Sequence, residues 1–169
     1  MKQLRCRPLN RVDFAPFGQV IDTAGVQPEV INGGTTRRYS DLARLDLGGG
    51  PGEPVIGLYQ ASGRRFPLRL SGLERHVRAA QVFLPLGLHR FVIVVAPGQQ
   101  EPDWEHVCAF LSDPGQGVSL HRGCWHHGLI ALSDGDRFAV IDGATYRQDT
   151  QEIEAPLVLE ILEPGSGTG

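Results

Sequence analysis

Three stretches of this chain carry side chains that could move protons, grip an anion or hold a metal. "LERHVRAAQVFLPL" contributes Glu74, His76 and Gln81. "GVSLHRGCWHHGLIAL" contributes His121, His126 and His127. "INGGTTRRYSDLA" contributes Asn32, Arg37, Arg38, Tyr39 and Asp41. Imidazole titrates near working pH and serves as general acid, general base or metal ligand. A guanidinium fork grips a carboxylate through two parallel N–H bonds. Neutral amides hydrogen-bond a substrate without adding charge. Together these types suit acid–base chemistry, with or without a divalent cation.

Such residues need a scaffold, and the rest of the sequence describes one. The 22 glycines and 12 prolines cut the chain into short apolar runs. "PVIGLYQA", "FPLRL", "AQVFLPL", "RFVIVVAP", "GVSLHRGCWHHGLIAL", "RFAVIDG" and "LVLEIL" all read as strands bounded by turn formers. Many short strands at close spacing predict an all-β sandwich or barrel rather than a βαβ sheet. Helix signals are few. "NRVDFAPFG" predicts one short turn with Phe14 and Phe17 three apart. "EPDWEHVCAFL" predicts a short helix capped by Asp103, with Trp104, Val107 and Leu111 at helical spacing. Residues 47–54, "LGGGPGEP", read as a loop. The expected organisation is a single domain over residues 1–163 with a flexible tail at 164–169.

On a strand, Glu74 and His76 share a face. Gln81 changes face unless the intervening segment turns. The pattern Glu74-x-His76-x4-Gln81, followed later by a Gly-rich turn and His121, resembles the metal motifs of cupins. Those are small β-barrels whose first motif is His-x-His, a short gap and Glu, and whose second motif ends in one more His. Glu74, His76 and His121 would then be the metal ligands, whereas a neutral Gln is a poor one.

A longer ordered set is more specific. "PLNRVDFAPFGQVID", "INGGTTRRYSDLA", "LERH", "AQVFLPL", "VIVVA" and "GVSLHRGCWHH" follow one another over roughly residues 8–142. In this order and spacing the chain closely resembles the ureidoglycolate lyase family. The resemblance implies a cupin-like double-stranded β-helix, a jelly-roll barrel with one or two short helices, and a homodimer. The implied activity is cleavage of (S)-ureidoglycolate to glyoxylate and urea, late in purine and allantoin breakdown. One position departs from the family pattern. Gly143 follows Asp142 where an Arg is expected, and Arg147 is the nearby candidate to replace it.

That chemistry needs a base for the hydroxyl proton, an acid for the departing nitrogen and a cation for the carboxylate. The expected catalytic residues are His121, His76 and Glu74. The expected substrate contacts are Arg38, Asn32, Gln81, His126 and Tyr39. A divalent ion such as Ni or Zn on Glu74, His76 and His121 is the alternative way to activate the hydroxyl. The sequence leaves open which of His126 and His127 faces the cavity, because neighbours on a strand point opposite ways.

Plainer readings stand beside these. Arg38 could be an ion pair with Asp41, Cys124 a small packing residue, and Trp104 and Trp125 core or interface. A net charge of −3 gives no basic face for nucleic acid. No apolar stretch approaches the ~20 residues of a membrane span. Cys6, Cys108 and Cys124 show no paired spacing, and with no signal-peptide pattern at the N-terminus they read as reduced thiols in the cytoplasm.

Overall fold

A computed structural model describes residues 1–46, 53–144 and 146–165 of the chain. The elements follow in order: β1 (Lys2–Leu4), β2 (Cys6–Pro8), α1 (Arg11–Phe14), β3 (Gly18–Ile21), β4 (Glu29–Ile31), a 3-10 turn (Asn32–Gly34) and β5 (Thr36–Arg38). Next come β6 (Pro54–Gln60), β7 (Leu68–His76), β8 (Gln81–Pro85), β9 (Phe91–Ala96), β10 (Cys108–Leu111) and β11 (Gly117–Leu120). The chain continues through β12 (Trp125–His126), β13 (Ile130–Ala131), β14 (Arg137–Gly143), α2 (Tyr146–Asp149) and β15 (Thr150–Ile161). The expectation of an all-β, barrel-like chain with short helices holds. The expected 47–54 loop lies mostly outside the described residues, as does the end of the expected tail, 166–169.

Two sheets carry the architecture. The larger has eight strands among the described residues, in the order β1-β15-β7-β12-β9-β10-β2, with β13 also on β9. The smaller runs β3-β11-β8-β14-β6. Their facing sides share one core: Phe91, Ile93, Val95 and Phe110 from the larger sheet meet Phe83, Val118, Leu120, Phe138 and Val140 from the smaller. Period-two alternation makes this possible, because β14 turns Phe138 and Val140 inward and leaves Ala139 and Ile141 outward. Helix α1 begins at Asn10, whose side chain accepts from the N–H groups of Val12 and Asp13. It plugs one part of the core with Phe14, which stacks edge-on against Phe110 at 5.4 Å.

The larger sheet curls. Its other face holds a second core, where Trp125, Val92, Val94 and Ala109 meet Leu4, Leu70, Leu159 and Ile161. Its two edges are β1 and β2, which are consecutive in the chain and separated only by Arg5. β1 pairs in parallel with β15, and β2 in parallel with β10. The sheet is therefore almost a closed ring.

Two sequence expectations need correction. The helix expected from Asp103 is a turn followed by β10. Asp103 does cap, accepting from the N–H groups of Glu105 and His106, but the chain then enters the ladder. Residues 108–111 pair with β9 on one side and β2 on the other, and those hydrogen bonds override the helical spacing of Trp104, Val107 and Leu111. The single long strand expected over 117–132 is three short ones. Gly123, at φ 78°, allows a turn in which the Cys124 N–H reaches the His121 carbonyl at 3.0 Å. That turn carries the chain from the smaller sheet to the larger.

Candidate active site

At one end of the shared core, polar side chains replace apolar ones. β7 supplies Glu74 and His76 on one face, as the i, i+2 spacing requires. His126 sits directly opposite Glu74 across the β7–β12 pair, with Nε2 3.6 Å from Glu74 Oε1. The opposite neighbour of His126 on β9 is Val95, a core residue. The imidazole therefore points into the barrel while adjacent Trp125 points into the second core. Of the two histidines left open by the sequence, His126 is the inward one.

Gln81 reaches the same place by turning. Residues 77–80 bend the chain out of β7, and the Asp149 carboxylate holds that bend by accepting from the N–H groups of Val77 and Arg78. β8 then begins in the other sheet with Gln81 buried and inward. Its Nε2 donates to Asp142 Oδ1 at 2.8 Å, and its Oε1 lies 3.0 Å from His126 Nε2. Asp142 was not among the expected site residues. Its signal was a carboxylate at an inward position of β14, two residues after Val140.

Burial sets the electrostatics. His126 is almost wholly enclosed, which pushes its pKa down to about 3 and keeps the ring neutral. Burial raises Glu74; the nearby His76 lowers it in part, and Glu152 and Asp142 add to the rise. Burial also raises Asp142, against the Gln81 hydrogen bond. His126 lies between two carbonyl oxygens, Cys124 O at 2.9 Å from Nδ1 and Gln81 Oε1 at 3.0 Å from Nε2. A carbonyl only accepts, so a neutral ring can satisfy one of them. With Nδ1–H donating to the fixed backbone carbonyl, Nε2 presents its lone pair to the Glu74 side of the cavity.

That tautomer is the one a metal ligand needs. Glu74, His76 and His126 each place a ligand atom so that all lie within 4.8 Å of one another. His76 is buried, its Nδ1 is 3.2 Å from the Thr150 hydroxyl, and its Nε2 has no hydrogen-bond partner among the described residues. An orphaned buried imidazole nitrogen beside a second lone pair and a carboxylate fits a divalent cation. The residues present thus fit the metal expected from sequence, with His126 in the place given to His121.

His121 does not join the cluster. It is exposed in the β11–β12 turn, and its Nε2–H donates to the Ala15 carbonyl at 3.2 Å. The turn at Gly123 reverses the chain before the inward position, which shifts the ligand role five residues on. Arg38, Asn32 and Tyr39 also lie apart, on or just after the β4–β5 hairpin. Arg38 and Asn32 are exposed and Tyr39 is half-buried. Arg38 pairs with Glu29 across the hairpin rather than with Asp41. Cys124 packs against the core, and burial raises its thiol to about 12, as suits a packing residue. Gly143 points away from Asp142 and backs onto Ala79; an added Cβ would sit 3.1 Å from the alanine methyl. The missing Arg therefore leaves no gap beside the Gln81–Asp142 pair.

A cleft of about 540 Å³ opens beside Glu74, lined also by Ser71, Gly72, His127, Glu152 and Glu154. Glu152 is the direct β15 partner of Glu74. Burial lowers His127, and the nearby Arg64 lowers it further, favouring the neutral ring. The cleft is large enough for a small acid. Its lining among the described residues includes neither lysine nor arginine.

The chain is similar to known proteins over most of its length. The family model described as ureidoglycolate lyase matches residues 1–161. A ureidoglycolate lyase of Azotobacter vinelandii is 43% identical over 142 residues, covering 84% of this chain and 86% of that one. Ureidoglycolate lyases of Burkholderia mallei and Pseudomonas aeruginosa are each 42% identical over 142 residues, covering 84% of this chain and 83% and 84% of theirs.

Proposed function

The chain belongs to the ureidoglycolate lyase family, and from that premise we propose that it cleaves (S)-ureidoglycolate into glyoxylate and urea. The observation that carries the proposal is the convergence of Glu74, His76 and His126 within 4.8 Å of one another, with Glu74 also lining a cleft of small-molecule size. The substrate's central carbon bears a carboxylate, a hydroxyl and a ureido nitrogen. Cleavage removes the hydroxyl proton, turns the C–O bond into C=O and breaks the C–N bond. The nitrogen leaves with the electron pair and takes a proton, so no net proton is consumed.

Glu74 is the base for this step. Burial raises its pKa, and a carboxylate with a raised pKa is a better proton acceptor near neutral pH. The same carboxyl, once protonated, can return the proton to the departing nitrogen. His76 Nε2, without a hydrogen-bond partner among the described residues, serves the substrate's hydroxyl oxygen directly or through a cation. The Cys124 carbonyl orients the His126 ring by accepting from Nδ1–H, and Asp142 holds the neighbouring Gln81 amide by accepting from its Nε2. Glu74, His76 and His126 would hold a divalent cation, which when bound polarises the hydroxyl and lowers its pKa. The setting we propose is purine and allantoin breakdown in the cytoplasm.

Incubation of the purified protein with racemic ureidoglycolate, with and without chelator, tests this. Urea and glyoxylate should appear in equal amounts, with half the racemate left. Ammonia in place of urea would instead assign an amidohydrolase.

A further inference from the structure

The cleft beside Glu74 is acidic: Glu74, Glu152 and Glu154 line it, with neither Arg nor Lys among the described residues. Arg64 acts on His127 from nearby but does not line it, and a cation on Glu74, His76 and His126 would meet the hydroxyl, so the substrate carboxylate needs a guanidinium of its own. The cation-bearing segment that the sequence associated with this chemistry sits elsewhere, as a separate hairpin. β4 and β5 form a two-stranded sheet that joins neither larger sheet. Residues 32–38 are all exposed, and Val30 is 60% exposed. An isolated two-stranded hairpin is marginal in water. One that displays an exposed valine and two successive arginines, Arg37 and Arg38, is built to lie against something acidic.

The same chain also displays a surface that a second copy would cover. β6 is an edge strand of the smaller sheet, so on its outer side it pairs with no other strand among the described residues. Its outward residues Ile56 and Leu58 are 75% and 64% exposed. They stand opposite Ile141 and Ala139 of β14, on the side away from the core. β6 carries no charged residue. An uncharged apolar edge of this kind is a pairing site.

We propose that the β4–β5 hairpin of a second copy of this chain enters the cleft beside Glu74 and completes the site, with Arg38 meeting the substrate carboxylate. The charges complement: Arg37 and Arg38 on the hairpin face Glu74, Glu152 and Glu154 in the cleft. Arg38 exchanges its exposed Glu29 partner for a substrate carboxylate, the bidentate acceptor its fork fits best. Asn32, at φ 52° in the tip of the hairpin, and Tyr39 at its base travel with it. Each active site then draws its proton-transfer group from one copy and its anion clamp from the other. The inference rests on the proposed substrate for its chemistry but not for its geometry.

Two experiments test it. In the first, Arg38→Ala carries one affinity tag and His126→Ala another, and only the doubly tagged dimer is purified. Each parent should be inactive, whereas the mixed dimer holds one complete site of two and should recover about half the wild-type rate. A mixed dimer as inactive as its parents, beside an active doubly tagged wild type, would show that the hairpin serves its own cleft and would overturn the proposal. The second experiment needs no turnover. Arg38→Cys combined with Glu152→Cys should form, on mild oxidation, a band of twice the chain mass under denaturing non-reducing conditions, absent in either single variant. A disulfide confined to one chain, or no new band, would overturn the proposal even if the substrate assignment failed.

Discussion

Glu74 Oε1 and His126 Nε2 face each other at 3.6 Å across directly paired positions of β7 and β12. Backbone register, not side-chain reach, fixes that pairing. A slip of one residue on either strand would replace His126 with Trp125 or His127 and point the imidazole elsewhere.

Metal titration distinguishes His126 from His121 as the third ligand. With zinc or nickel under equilibrium dialysis, His76→Ala and His126→Ala should lose stoichiometric binding, and His121→Ala should retain it. Loss in His121→Ala alone would mean that the β11–β12 turn rearranges. In turnover, Glu74→Gln should cost about 10²–10⁴-fold in kcat, the usual contribution of a positioned acid–base group.

The neutral state of His126 makes the metal-free protein acid-sensitive. Its pKa is about 3 in the folded chain against 6.5 for the unperturbed group. Between those values the unfolded chain binds a proton that the folded chain refuses, so stability falls as pH drops through that window. Glu74 and Asp142, both raised, take up protons earlier when folded and offset part of the loss. Urea midpoints at pH 7 and pH 4.5 in chelator should therefore differ more for the wild type than for His126→Gln. Equal differences would remove His126 as the cause.

Gly72 tests how closely β7 and β15 approach. An added Cβ would lie 2.4 Å from the Ile153 carbonyl oxygen, a backbone atom that cannot rotate away. Gly72→Ala should cost roughly 1–3 kcal/mol in chemical denaturation, typical of an overpacked site. It should also lower activity, because Glu74 is two residues on.

Thiol reactivity should follow burial. Cys6 and Cys124 are raised to about 11 and about 12 by desolvation, and the thiolate is the reactive form. Iodoacetamide at pH 8 should leave Cys124 unmodified in the native protein and label it once urea is added. Rapid native labelling, read by peptide mass spectrometry, would contradict the packing described for it.

Much of the fold was legible because short apolar, β-branched runs bounded by turn formers are a local signal. β6, β8, β9 and β14 lie within or along "PVIGLYQA", "AQVFLPL", "RFVIVVAP" and "RFAVIDG". Glu74 and His76 were legible too, since i, i+2 on a strand fixes a shared face. The identity of the inward histidine was not. It depends on Gly123 adopting positive φ and breaking a run that reads as one strand. The Asp103 helix failed because two neighbouring strands, distant in sequence, claimed residues 108–111. Asp142 and Glu152 escaped notice because their meaning comes from what lies across the ladder, which no local window contains.

The near-closure of the larger sheet at Arg5 reverses the order in which the molecule can be finished. β2 lies far ahead of its partner β10 in the chain, and β1 far ahead of β15. The seam cannot form until both later strands exist, and until then both rims of the sheet stand open to neighbours. A chain without residues 1–8 should keep Glu74, His76 and His126 and lose its protection against edge-to-edge polymerisation.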